Sequence, residues 1–373
     1  MNILVLSWRD PKHPLAGGAE QVMHEHMKGW IEAGHNVTLF SSRFKDGKDK
    51  EELDRITIIR KGDQYIGVKL HALFYWKKNK KRFDLVVDQF HGVPFFTPLY
   101  VKKPKLAVLQ EVAREVWFMN ELPIPLNWII GLAGYLLEPV FFLFYRKVPF
   151  MVGSGSAKED LVRMRVSPEN ITIVPHGVIT KRFSKLPPKE KIKTIVFLGA
   201  LTKDKGIVDA LKTFSILNKK GNYNFWVIGK SAPEYKNYLL SLCENLSIID
   251  KVKFWGYVDD EKKFDLLARA HVLVNPSVRE GWGLVNIEAN SLKVPVVGYK
   301  SPGLLDSIKD QESGIICKKN DFQEIASRIE KLLNNQNKYK EMQIKSKVWA
   351  DKFSWSRSIK ISTRLIDLLN KDN

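Results

Sequence analysis

The chain has 373 residues, 44% hydrophobic and 27% charged, with 23 Gly and 17 Pro; that length suits two domains better than one core, and the composition excludes low-complexity and collagen-like classes. Its two cysteines, Cys243 and Cys317, exclude a disulfide framework and a cysteine-rich metal centre and fit a reducing compartment. Sixty Lys and Arg against 41 Asp and Glu give a formal charge of +19, which favours acidic lipid or a phosphorylated substrate as partner, while no zinc-finger, helix-turn-helix or single-strand-binding pattern supports nucleic acid.

Ile3-Leu-Val-Leu6 is a short apolar run before Arg9 and Asp10 without a basic leader, so it reads as a first strand and not a secretory signal. A helix from about Ala19 to Ala33 follows, with Met23, Met27, Trp30 and Ile31 on one face and Gly34-His35 as its stop. Val37–Phe40 completes a βαβ start, and further strands are expected at Ile56–Ile59, Leu85–Asp88, Leu106–Gln110 and Phe150–Gly153. Leu70–Arg82 joins Leu70, Leu73, Phe74 and Trp76 to five cations, which suits either an interfacial helix on anionic lipid or a packed helix with a solvated basic end. Trp128–Tyr145 approaches the length of a membrane span. Glu138 and Pro139 at its centre argue against one, leaving a buried core helix pair or partial membrane burial as the readings.

Phe183–Lys193 reads as a linker, after which strands are expected at Thr194–Leu198, Phe225–Ile228, Val252–Phe254, Val272–Asn275, Val294–Val297 and Gly314–Cys317. The expected architecture is therefore α/β, with two doubly wound domains, 1–182 and 194–355, and the cleft between them as the ligand site. An amphipathic helix closes the chain between Phe353 and Leu369.

The most informative stretch is Pro276-Ser-Val-Arg-Glu-Gly-Trp-Gly-Leu-Val-Asn-Ile-Glu288, where a Gly-rich loop turns into a helix. Glu280 falls on the loop and Glu288 one turn into the helix. Gly281 and Gly283 admit a ligand close to the backbone, and the free N–H groups of Gly283, Leu284 and Val285 form a site for phosphate oxygens. Carboxylates on both sides of a phosphate site need hydroxyl partners, which points to ribose on one side of a diphosphate and a second sugar on the other. Two further loops follow first strands: Leu15-Ala-Gly17-Gly18-Ala-Glu20, where paired glycines admit a phosphate or sugar, and Gly199-Ala-Leu-Thr-Lys203-Asp-Lys205-Gly206, where Lys203 and Lys205 are candidates to neutralise the diphosphate. Neither loop has the Gly-x-Gly-x-x-Gly spacing of a nicotinamide-cofactor site.

Together these pieces resemble the retaining, nucleotide-sugar-dependent glycosyltransferases of family four, along essentially the whole chain. The resemblance rests on Glu280-x7-Glu288, Val294-Pro-Val-Val297 and Gly314, supported by Gly17-Gly18, Ser154-Gly-Ser156, Pro175-His-Gly-Val178 and Lys205-Gly206. It implies a GT-B fold, two Rossmann-like domains facing across a cleft, with the helix over 356–373 packing back on the first. It assigns Glu280 to the donor sugar near the reacting carbon, Glu288 to the ribose, and Lys205 with the backbone after Gly283 to the pyrophosphate. Ala200 stands where the family carries Arg, leaving one phosphate clamp missing unless Lys203 replaces it. Gln110-Glu111 stands where the family places His, and Gln cannot titrate. His91, Gln110 and Glu111 are the acceptor-side candidates. No Asp-x-Asp motif occurs, so no metal or other cofactor is expected. The acceptor implied is a glycan or lipid-linked molecule, and the implied location is cytoplasmic, peripheral on the inner membrane face, with Leu70–Arg82 and Trp128–Tyr145 on anionic lipid. Rival readings are a sugar-nucleotide epimerase or hydrolase, which consumes donor without acceptor, and a degenerate binding protein.

Overall fold

The computed structural model describes residues 1–120, 122–178, 183 and 185–371. The chain forms two compact units, Met1–Gly177 with Ser354–Asn373, and Val178–Phe353.

In the first unit the order is β1 (Asn2–Leu6), α1 (Gly18–Glu32), β2 (Asn36–Ser41), β3 (Lys50–Leu53), β4 (Ile56–Arg60), α2 (Gly67–Asn79), β5 (Leu85–Phe90), β6 (Lys105–Leu109), α3 (Leu126–Tyr145), β7 (Phe150–Val152), α4 (Gly155–Arg163) and β8 (Ile171–Ile173). The strands form one sheet in the order β3-β4-β2-β1-β5-β6-β7-β8. Every pairing is parallel except β3 with β4. Apolar side chains of β1, β5 and β6 are buried on both faces, as a sheet covered by helices on each side requires.

In the second unit β9 (Lys193–Leu198), α5 (Ile207–Asn218), β10 (Tyr223–Ile228), α6 (Pro233–Asn245), β11 (Val252–Gly256), α7 (Asp260–Arg269), β12 (Val272–Asn275), α8 (Leu284–Ser291), β13 (Val296–Gly298), α9 (Leu304–Ser307), β14 (Gly314–Ile316), α10 (Phe322–Asn334) and α11 (Gln336–Ala350) alternate. Its sheet is wholly parallel, in the order β11-β10-β9-β12-β13-β14. One core runs through it from Ile195 to Met342.

The last helix, α12 (Trp355–Lys371), belongs to the first unit. It lies on α1, where Ser362 Oγ meets His26 Nδ1 at 2.9 Å and accepts the Trp30 indole N–H at 3.1 Å. Gly29 permits the approach, because a Cβ there would stand 2.2 Å from Ile359 Cγ2.

Two expectations need correction. The 183–193 stretch is not a free linker: the unit boundary falls after Gly177, Phe183 and Leu186 pack on the second core, and Lys189 donates to the Ala270 carbonyl at 2.7 Å. The 179–182 and 184 positions of that region lie outside the described residues. Trp128–Tyr145 is not a buried helix pair. It is one continuous 20-residue helix running through Pro139, and most of its side chains are exposed. Glu138 turns inward, 1% exposed, and its carboxylate accepts the N–H groups of Ala113 and Arg114 at 2.7 and 2.8 Å.

Candidate functional site

Three loops leave the carboxyl ends of neighbouring strands β9, β12 and β13 in the second unit, where a doubly wound sheet binds ligands. Backbone contacts stitch them together. The Val278 N–H donates to the Asp204 carbonyl at 2.9 Å, and the Glu280 N–H to the Pro302 carbonyl at 3.2 Å. Ser301 Oγ donates to the Ser277 carbonyl at 2.8 Å. Gly206, at φ +73°, lies so close to Pro276 that a Cβ would stand 2.2 Å from its carbonyl oxygen.

This stitching brings Lys205 to Glu280. The Lys205 ammonium sits 2.9 Å from one carboxylate oxygen, and Ser277 Oγ donates to the other at 2.9 Å. Both charged side chains are largely shielded yet not sealed, so each remains within reach of a ligand. Lys203 lies on the tight turn closed by the Gly206 N–H on its own carbonyl, and its side chain is exposed.

Gly283 caps α8 in the left-handed region, φ +84°. A Cβ there would lie 2.7 Å from Asn286 Nδ2 and 2.9 Å from Ser307 Oγ. Behind it runs a buried amide chain: Asn275 Nδ2 donates to Asn286 Oδ1 at 2.9 Å, and Asn286 Nδ2 to Ser307 Oγ at 2.8 Å. These bonds fix the first turn of α8, whose N–H groups at Leu284 and Val285 have no acceptor within the helix and carry the positive end of its dipole.

Glu288 lies on the same helix, with Lys263 of α7 at 2.8 Å. Burial raises the Glu288 pKa above the ordinary carboxylate range, and Lys263 moderates the rise. Burial also works against the Lys263 ammonium, but Glu288 and Asp260 outweigh it and raise its pKa. On the β10 and β11 side of Gly199, a 250 Å³ cavity opens between Leu201, Gly229, Lys230, Phe254 and Tyr257. The Lys230 ammonium stands 4.2 Å from the centre of the Tyr257 ring.

The first unit has its own row of groups at the carboxyl edge of its sheet. Gly17 precedes α1 in extended conformation, its N–H donating to the Glu20 carboxylate at 2.7 Å, and Gly18 opens the helix. His91 follows β5 with its ring 6.3 Å from Trp8, and the Arg9 guanidinium lies 3.9 Å from the centre of the Trp8 ring. Gln110 and Glu111 follow β6. Gln110 Oε1 accepts from His176 Nε2 at 2.7 Å, and burial pushes the His176 pKa down to about 4, so the ring is neutral at pH 7.

The structure thus gathers Lys205, Glu280, Gly283, Leu284, Val285 and Glu288 on one edge of the second unit, and Gly17, Gly18, His91, Gln110 and Glu111 on the corresponding edge of the first. Sequence reasoning missed Lys263, Ser277, and the Asn275-Asn286-Ser307 chain, and it gave His176 no role. A polar Asn286 inside the apolar Leu284-Val-Asn-Ile287 run was the one signal available for the chain.

Residues 16–182 match the family model described as Glycosyltransferase Family 4, and residues 178–349 match that of Glycosyl transferases group 1. A capsular polysaccharide biosynthesis glycosyltransferase, CapM of Staphylococcus aureus, is 30% identical over 63% of this chain and 66% of its own length. The chain spans between 50% and 66% of the first three curated relatives it matches. Among solved structures, sucrose-phosphate synthase from Thermosynechococcus elongatus superposes with a TM-score of 0.81 over 100% of both chains at 17% identity. Anabaena HepE in complex with UDP and glucose does so with 0.72, over 98% of this chain and 99% of its own, at 14%. At such identities these two likenesses carry the fold alone.

Proposed function

We propose, from a chain that belongs to the family-four-like GT-B glycosyltransferases, that it moves a sugar from a nucleoside diphosphate to a glycan or lipid-linked acceptor with retention of anomeric configuration. The single observation that carries this reading is the Lys205–Glu280 pair, held at 2.9 Å beside the first turn of α8. A cation and a set of free N–H groups suit the diphosphate, and a carboxylate beside them suits sugar hydroxyls. Glu288 then takes the ribose, and the cavity at Lys230 and Tyr257 the base.

In this mechanism the bond from the anomeric carbon to the phosphate oxygen breaks as the acceptor oxygen attacks from the same face. The acceptor proton leaves toward the departing diphosphate. Charge grows on that diphosphate, so Lys205 and the N–H groups of Gly283, Leu284 and Val285 act where the transition state needs them, and the proposed reaction uses no metal. Glu280 orients the donor sugar as positive charge develops at the anomeric carbon. Gln110, locked by neutral His176, serves as a positioning amide and not as a proton acceptor. The CapM relative supports envelope polysaccharide as the product. The proposed location is the cytoplasmic face of the membrane.

The test is a panel of UDP-, GDP- and ADP-sugars, with and without membrane lipid extract, reading released nucleoside diphosphate beside a Glu280→Ala control. Release that needs one donor and the extract, and is lost in the control and unaffected by chelator, is expected. Release indifferent to any acceptor identifies a hydrolase, conversion of the donor to an isomeric sugar nucleotide without net release an epimerase, and donor binding without turnover a degenerate binding protein.

A further inference from the structure

The outward side of α3 is a continuous apolar surface. From Trp128 to Phe144 every exposed side chain is apolar, including Trp128, Leu132, Leu136, Val140, Leu143 and Phe144. Trp128 is 62% and Leu136 61% exposed. A patch running the roughly 30 Å length of a 20-residue helix exceeds what monomeric proteins leave in water. Glu138, the one charge within the helix, faces inward onto the N–H groups of Ala113 and Arg114. At the far end Tyr145 donates its hydroxyl to buried Asp88. The inner face of α3 is therefore built into the unit, and the helix lies along the unit's surface with only its apolar side outward.

A second helix continues that surface. Asp88 also accepts the N–H groups of Phe95 and Thr97, and Phe96 beside them packs edge-on against Phe141 and Phe144 of α3. Phe95 packs with Val68 and Ala72 of α2. The α2 helix and its N-cap expose Ile66, Leu70 and Phe74 at four-residue spacing, and then Lys77, Lys78, Lys80 and Lys81 follow, all exposed. Between Gly67 and Val152 the sequence holds twelve Lys and Arg against six Asp and Glu, and Asp88 and Glu138 of the six are buried.

We propose that this face docks on an anionic bilayer, with α3 in the plane of the interface, its Trp128–Phe144 side among acyl chains and the α2 lysines on headgroup phosphates. The charge selects lipid over a second copy of the chain, since two faces of the same strongly positive sign repel. An ordinary globular partner is disfavoured because the centre of the face offers nothing to pair with a polar group. The docking surface is continuous with the candidate acceptor edge. Trp117 fills the space a Cβ would need both at Gly134 of α3, 2.3 Å away, and at Gly92 beside His91, 2.8 Å away. The inference rests on the reading that the acceptor is membrane-borne, and it makes α3 the element that holds His91 near the lipid surface.

Sedimentation with phosphatidylcholine vesicles, with and without phosphatidylglycerol, tests it in the absence of donor and acceptor, so docking is scored apart from transfer. Wild type is expected in the pellet only with the anionic lipid, and less so at high salt. Leu136→Glu with Val140→Glu should weaken binding at least tenfold, and each of Lys77, Lys78, Lys80 and Lys81 replaced by Ser should weaken it about fivefold. Trp128→Leu keeps an apolar side chain, so it should retain binding while losing part of the fluorescence quenching by lipids brominated on the acyl chain. Binding indifferent to lipid charge, variants that bind like wild type, or a dimer in solution that Leu136→Glu dissociates would each overturn the proposal. Vesicle binding with no turnover in the donor panel would leave docking standing and remove the transferase reading.

Discussion

Replacing Glu280 by Gln separates the two roles assigned to the Lys205–Glu280 pair. At 2.9 Å and an effective dielectric near 20, Coulomb attraction is roughly 6 kcal/mol. Desolvation and side-chain ordering return most of it, leaving about 1 kcal/mol net for a pair this close to solvent. A diphosphate must draw Lys205 away from Glu280, so that amount opposes binding. Glu280→Gln removes it, keeps the volume and keeps an acceptor for Ser277, and should tighten nucleoside diphosphate binding by about fivefold. Transfer should nonetheless fall roughly 100- to 1000-fold, because the donor sugar loses a charged partner in the transition state. Lys205→Met should do the reverse to the product complex, weakening it roughly 10- to 150-fold through a lost charge-assisted bond. Isothermal titration with UDP or GDP, beside the release assay, reads both quantities. If Glu280→Gln weakens nucleoside diphosphate binding as much as Lys205→Met does, the carboxylate belongs to the phosphate site itself, and the division of roles argued here is wrong.

Lys263→Met should cost about 3 kcal/mol at pH 7, because Glu288 is left shielded and unpaired. A raised carboxyl pKa gives stability at low pH that is lost as pH rises through it, so the deficit against wild type should shrink on acidification, and urea midpoints at pH 7 and 5 check this. Burial lowers the pKa of His26 to about 3 and of His176 to about 4. Unfolded histidine takes its proton near 6.5, so each should withdraw about 2 kcal/mol of stability between pH 6.5 and 5, and His176→Gln should remove its share of that loss. Gly29→Val drives a side chain into Ile359 and should destabilise by about 3 kcal/mol, with Ile359→Ala recovering most of it in thermal melts.

Both sheets were legible from strand-length apolar runs bounded by turn residues, and the Glu280 loop from glycines set between a buried strand and a helix. The missed strands have plain causes. Lys50–Leu53 reads Lys-Glu-Glu-Leu, a charged strand that pairs antiparallel with β4 at the edge of the sheet among the described residues, and Ile171–Ile173 is three residues long. Pro139 suggested a break because its ring removes a helical N–H, yet the helix continues because its inner side is pinned by Glu138 and Tyr145. The partnership of Glu288 with Lys263 had no local signature, since it depends on how α7 and α8 pack. Gln110 read as a lost function until His176, distant in sequence, proved to hold it.

The first unit is discontinuous in the chain and the second is not. Ser362 meets His26 and Trp30 across separations of 336 and 332 residues. At a ribosomal rate of roughly 5 to 20 residues per second, α1 emerges on the order of 20 to 60 s before the helix that covers it. During synthesis the second unit, contiguous from Val178 to Phe353, therefore closes first. The earlier-made unit waits with Gly29, Trp30 and its two-sided sheet incompletely clothed until α12 arrives, so a chain interrupted just after Phe353 carries a finished second unit and a first unit that is a target for chaperones and proteases.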